Sequence, residues 1–176
     1  MSGASSLSHR QALAKCRRSY PQVLFRHLAC YYSPTFTKLG IRRLNWTDAV
    51  RSCQRNGARL AVPFTQKILD RFVPWFVKDY PFEYVHINGA QVSFLQNIQH
   101  PAVKMLANST YKGAYHFPPS YPLSNESPLW CVQEQDFERG LEQVLALQLH
   151  RQLRTCLMDV RPNRSLHYIC EGWQSF

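Results

Sequence analysis

Six cysteines carry the most explicit chemistry in this 176-residue chain: Cys16, Cys30, Cys53, Cys131, Cys156 and Cys170. No two stand at the C-x-x-C spacing of a zinc knuckle or a thioredoxin-like redox site. An even number at wide, irregular intervals fits a disulfide framework better than a metal site, and spacing alone leaves every pairing open. Four of the seven asparagines open N-x-S/T sequons, namely Asn45, Asn108, Asn125 and Asn163. Ordinary Ser and Thr usage would place only about one asparagine in eight there. Pro128, close behind the Asn125 sequon, makes that acceptor the weakest of the four. Cysteines and sequons together point to an oxidising compartment and to a glycoprotein.

The other reactive residues give less. The seven histidines form no H-E-x-x-H and no i, i+4 pair, and the chain has no Gly-x-Ser-x-Gly elbow. A lone histidine in a strand, such as His86, reads as a packed core residue. Glu134, Asp136 and Glu138 read as a solvated face. A cysteine nucleophile would be consumed by disulfides. The expectation is a protein that is not an enzyme; the competing class is an intracellular reduced-thiol protein or an enzyme of unrelated type.

Charge is lopsided. The chain has 21 Lys+Arg against 11 Asp+Glu, a formal charge of +10. Residues 1–60 hold eleven basic side chains and one acid, Asp48, whereas residues 61–176 hold ten of each sign. A basic first third on a neutral body argues for a basic face and against a nucleic-acid binder. Arg42, Arg43, Arg51 and Arg55 are the candidate anionic-ligand face. Arginine outnumbers lysine there, which favours bidentate contact with sulfate or other oxyanions. Sulfated glycans, sialylated glycans or anionic lipid are the expected partners of such a face. By contrast Arg151, Arg154, Arg161 and Arg164 are expected to matter less.

These residues need elements to position them. Residues 1–15 are polar and basic and read as a tail, with one domain from 16 to 176. The tail lacks the apolar run of a signal peptide, so the expectation is that the true start lies upstream. No run of apolar residues is long enough to span a bilayer. Ala29 to Ser33 reads as a strand. Asn45 to Asn56 reads as an amphipathic helix with Trp46, Ala49, Val50 and Cys53 on one face, Asn45 as its cap and Gly57 as its stop. Ala58 to Val62 is a strand, and a second helix starts near Thr65 and ends at Pro74. Tyr84 to Ile87 is a strand, with Asn88-Gly89 as a turn signal. Residues 90–129 read as mostly irregular. Leu129 to Val132 is a strand, Glu138 to Arg154 reads as helical by propensity, and His167 to Cys170 is the last strand.

In this order the residues resemble the C-type lectin-like domain. Cys30-Tyr31-Tyr32 is similar to the family's cysteine followed by aromatics, and Trp46 to Cys53 to its first helix. Gly57-Ala-Arg-Leu-Ala61, Trp130-Cys131-Val132 and Tyr168-Ile-Cys170-Glu171 resemble its later strand motifs. The resemblance implies an α+β fold: two helices, small antiparallel sheets and a long irregular loop region, stapled by disulfides. It also implies the pairs Cys53–Cys170, Cys131–Cys156 and Cys16–Cys30. An extracellular binding module follows, secreted or the ectodomain of a membrane protein, with a glycan or protein ligand.

The chain departs from the pattern at the places where sugar-binding members hold calcium. Val85-His-Ile-Asn-Gly89 stands where the family has W-I-G-L. Tyr121-Pro122-Leu123 and Arg151-Gln152-Leu153 stand where its two ligand triplets would fall. Neither has a carboxylate, and calcium is held by several oxygens. No cofactor is expected, and calcium is not expected at the usual site. The spacer from Cys156 to Cys170 is long for the family, and its Arg161 and Arg164 are basic.

Overall fold

The computed structural model describes residues 23–26, 29–34, 42–55, 58–62, 66–70, 82–98, 115–117, 121–123, 127–131, 141–150 and 154–173. The tail (residues 1–15), Cys16, Asn108, Asn125 and Arg151 to Leu153 lie outside them, as does the Glu134–Glu138 acidic group.

Two sheets, one antiparallel and one mixed, carry the fold over the described residues. The smaller has the order β1 (Val23–Arg26), β2 (Ala29–Tyr32), β10 (Cys170–Trp173), β3 (Arg59–Leu60). The larger runs β6 (Tyr121–Leu123), β5 (Tyr115–Phe117), β4 (Phe82–Gln91), β7 (Val144–His150), β8 (Cys156–Val160). One edge of β4 pairs with β7. Its other edge is shared by β5, opposite Ala90 and Gln91, and by β9 (His167–Tyr168), which runs parallel opposite Val85 and His86. The chain therefore passes from the larger sheet to the smaller between Tyr168 and Cys170. The single strand expected over His167–Cys170 is two.

Helix α1 (Trp46–Arg55) forms as its sequence dictates. The Asn45 side-chain oxygen accepts the Asp48 N–H at 2.8 Å, which caps the first turn. Trp46, Ala49, Ser52 and Cys53 are buried, while Arg51 and Arg55 face water. The Trp46 indole N–H donates to the Ile87 carbonyl at 3.0 Å and so fixes α1 against β4. Helices α2 (Gln66–Asp70) and α3 (Val92–Asn97) are short.

Alternation along β4 divides the core. Val85 and Ile87 pack with Leu145, Leu147 and Leu149 on one face of the larger sheet. Ala90, Val144, Ala146 and Met158 pack with Trp46, Ala49 and Cys53 on the other. Cys53 is joined to Cys170 and Cys131 to Cys156, with Cα atoms 5.6 and 4.9 Å apart. The first bridge ties α1 to β10 across 117 residues of chain, worth about 4–5 kcal/mol on the loop-entropy account. Cys30 is also disulfide-bonded; its expected partner, Cys16, lies outside the described residues.

Three local expectations fail. Residues 144–150 form a strand where propensity predicts a helix, because β4 and β8 satisfy both of its edges and bury Val144 to Leu147 and Leu149. Packing overrides propensity there. Asn88-Gly89 is no turn: β4 continues through it, with a register shift between His86 and Ala90. The segment at Trp130 reaches Leu157 by an isolated parallel bridge and not as part of a strand.

Candidate arginine face

The residues ahead of α1 run antiparallel to the loop between β8 and β9. Leu44 and Leu166 exchange both backbone hydrogen bonds, at 3.1 and 2.9 Å, and the Trp46 N–H donates to the Pro162 carbonyl at 3.1 Å. This pairing brings Arg43 beside His167 and brings Asn45 toward the turn over residues 161–164. That turn is closed by the Arg164 N–H donating to the Arg161 carbonyl at 3.2 Å. Pro162 and Asn163 occupy its two central positions, where proline's fixed φ favours the first.

Arg164 is exposed, and its guanidinium carbon lies 4.7 Å from the centroid of the half-buried Tyr84 ring. The stack holds a charged fork near the surface with little entropy left to lose. Arg43 meets Glu83 on β4 at 3.1 Å and keeps 49% of its side chain exposed. Arg42 is exposed beside it. His86 is fully buried under this strip, and its Nε2 hydrogen-bonds the Arg164 carbonyl at 2.8 Å. A carbonyl only accepts, so Nε2 carries the proton. Burial holds the His86 pKa down to about 4, against the weaker pull of the Arg164 and Leu44 carbonyls. Burial, with the Arg43 charge next, also lowers His167 to about 4. Both rings are neutral at pH 7, and the positive charge of the strip comes from arginine.

Of the four arginines expected to form one face, Arg42 and Arg43 lie ahead of α1 and Arg51 and Arg55 lie on it, all four exposed. Arg42 and Arg43 stand just before Leu44, whose bridge partner Leu166 lies two residues past Arg164. Arg51 and Arg55 stand farther along α1, about 8 and 14 Å from its start at 1.5 Å per residue. Arg51 meets Asp48 at 3.4 Å, both well exposed, a pair worth well under 1 kcal/mol. The contrast set divides as well. Arg154 is committed to structure: it donates to the Pro128 carbonyl at 2.6 Å, the Trp130 carbonyl at 2.9 Å and the Gln66 side chain at 3.2 Å. Arg161 and Arg164, in the spacer, are exposed on either side of the Pro162-Asn163 turn. The Pro162-Asn163 dipeptide was the available signal of that turn.

Elsewhere the buried polar groups serve the fold. The Glu171 carboxylate accepts from Arg59 Nε at 3.0 Å, the Tyr31 hydroxyl at 3.2 Å and the Val62 N–H at 3.5 Å. Burial pushes its pKa up while Arg59 opposes the shift, and burial beside Glu171 raises the Tyr31 hydroxyl as well. Tyr121-Pro122-Leu123, the first of the two triplets set against the family's calcium ligands, is strand β6, paired with β5. Among the described residues, no three His, Cys, Asp or Glu side chains gather as metal ligands, and no helix is long and apolar enough to cross a membrane.

No protein-family model matches the chain, and no curated protein matches it by sequence. Solved structures do match. The mouse scavenger receptor C-type lectin carbohydrate-recognition domain is similar at a TM-score of 0.59 and 14% identity, covering 89% of this chain and 97% of that one. Human lithostathine is similar at 0.58 and 14% identity, covering 99% and 100%. A calcium-independent type II antifreeze protein is similar at 0.54 and 16% identity, covering 86% and 91%. With its helices beside two sheets and its disulfides, the chain has a C-type lectin-like fold.

Proposed function

We propose that this chain is an extracellular, calcium-independent binding module that holds an anionic glycan, sulfated or sialylated, on the face made by Arg42, Arg43, Arg161 and Arg164. The observation that carries the reading is the Leu44–Leu166 bridge, which joins the segment carrying Arg42 and Arg43 to the one that leads from Arg161 and the Tyr84-stacked Arg164. Sulfate and carboxylate groups match the planar fork of arginine. The disulfides support an oxidising compartment. Among the structural neighbours, one is named as a carbohydrate-recognition domain and another as calcium-independent. A fold hosts many functions, so the reading rests on the arginines.

Retention on immobilised heparin and on a sialylated glycan, with and without a calcium chelator, tests it. Retention should fall steeply with salt and ignore the chelator. Per charge removed, the combined Arg42→Ala, Arg43→Ala, Arg161→Ala, Arg164→Ala variant should lose more than Arg51→Ala with Arg55→Ala. Equal losses per charge would mean diffuse charge with no site, and loss on chelation would restore a calcium mechanism.

A further inference from the structure

Two of the sequons lie at or beside the turn over residues 161–164. Asn163 is exposed in the turn between Arg161 and Arg164, and Ser165, the hydroxyl residue of its sequon, is exposed as well. Asn45, far away in sequence, is drawn to the same turn by the Leu44–Leu166 and Trp46–Pro162 bonds. The two differ in what their side chains do. The Asn45 side-chain oxygen caps α1. Asn163 instead occupies the second central position of an exposed turn, where the chain reverses and a large substituent can leave the surface without displacing anything packed.

Resting on the reading of the strip as an anionic-ligand face, we propose that Asn163 is an N-glycan acceptor whose occupancy covers this face, so that the glycosylated protein binds the anionic glycan weakly and the unmodified protein binds it well. The first sugar would start one residue from Arg164 and two from Arg161, within about 4–8 Å along the backbone at 3.8 Å per residue. An N-glycan is bulky and hydrated. Anchored there, it occupies the volume a sulfated chain must enter to reach the guanidinium groups, and a sialylated N-glycan would itself present carboxylates to them. The disulfides place the chain in the compartment where such glycans are added.

The test uses the full chain secreted from a glycosylating cell line, with Asn163→Gln and Ser165→Ala as two independent ways to remove the sequon. Thr47→Ala removes the Asn45 sequon without touching its cap. Glycopeptide mass spectrometry reads occupancy, and the salt needed to elute from heparin reads the face. Variants are preferred to enzymatic release, which turns asparagine into aspartate and would add a negative charge to the strip. The expected result is an occupied Asn163, with both Asn163→Gln and Ser165→Ala binding heparin about tenfold tighter than the glycosylated parent. An unmodified Asn163, or an occupied one whose parent elutes with the variants, overturns the proposal and leaves the arginine face standing. A gain seen only with Thr47→Ala overturns it too, by assigning the cover to Asn45. If neither sequon-free variant is retained, the arginine-face reading itself fails and takes this proposal with it.

Discussion

Arg164 faces two ways: its guanidinium lies 4.7 Å over the Tyr84 ring, while its carbonyl accepts the Nε2 proton of the buried His86 at 2.8 Å. The side chain belongs to the surface and the main chain to the core. Substitution of the side chain therefore separates binding from folding, which few positions in a core-anchored loop allow.

Arg164→Ala should lower the slope of log affinity against log salt on heparin by about one, since one ionic contact is lost. Its cost in stability should stay below about 1 kcal/mol, because an exposed stack is worth no more. Arg164→Lys should keep the slope and still bind more weakly, because an ammonium neither stacks as well nor contacts sulfate through two parallel donors. Salt-dependent titration of the three proteins, with urea melts alongside, checks all three statements.

His86 gives the fold a pH limit. Its folded pKa is held down to about 4 by burial, whereas in the unfolded chain it lies near 6.5. Above about pH 6.5 the ring is neutral in both states and contributes no pH dependence. As pH falls from 6.5 to 4 the unfolded chain takes up a proton that the folded chain refuses, so stability declines. The full loss is at most about 3 kcal/mol, of which about 2 should be gone by pH 5. His167 acts in the same direction and, being half-exposed, more weakly. Urea midpoints at pH 7 and pH 5 read the loss, and His86→Gln should flatten the profile even if it is less stable throughout. A wild-type midpoint constant over that range would contradict the buried neutral ring.

What was legible in the sequence was what local spacing encodes. Asn45, Trp46, Ala49 and Cys53 lie within one helix, so their period and cap are visible without any long-range partner. The two bridges came from the family resemblance and not from spacing. Residues 144–150 misled because Leu-rich segments favour helix when isolated, and only the edges of β4 and β8 make them a strand. Charge counting found Arg42 and Arg43, but the approach of their segment to the one that follows Arg161 and Arg164 depends on the pairing of Leu44 with Leu166, which no local pattern reports.

Gly89 should tolerate no side chain. Its φ of +145° lies in the region that favours glycine, and an added Cβ would overlap the Leu145 side chain at the shift in β4 register. Gly89→Ala therefore combines a strained backbone with overpacking on a strand that carries the core, and should cost about 3 kcal/mol. Gly172→Ala is the control: its Cβ would stand 3.6 Å from that of Cys30, an ordinary contact. Thermal melts of the pair should separate them clearly, and similar midpoints would refute the strain.

The Arg59–Glu171 pair makes the sharpest stability prediction. Glu171 has 1% of its side chain exposed, against 26% for Arg59, so the two partners are not equivalent. Removing Arg59 strands a buried carboxylate with only the Tyr31 hydroxyl and the Val62 N–H, and should cost about 3 kcal/mol at pH 8. Glu171→Gln leaves the half-open Arg59 to water and keeps an oxygen for Tyr31, so it should cost only about 1 kcal/mol. The pH dependence distinguishes this account from simple loss of packing. Burial already raises the folded Glu171 pKa above its unfolded value, and Arg59 opposes that rise. Without Arg59 the folded carboxyl binds a proton at a pH where the unfolded one has released it. Protonation then stabilises the folded state, so the deficit of Arg59→Ala relative to wild type should shrink as pH falls from 8 to 5. Taking the difference at each pH cancels the opposite trend of His86. A deficit that stays constant or grows on acidification would show that Arg59 acts through its methylenes and not through its charge.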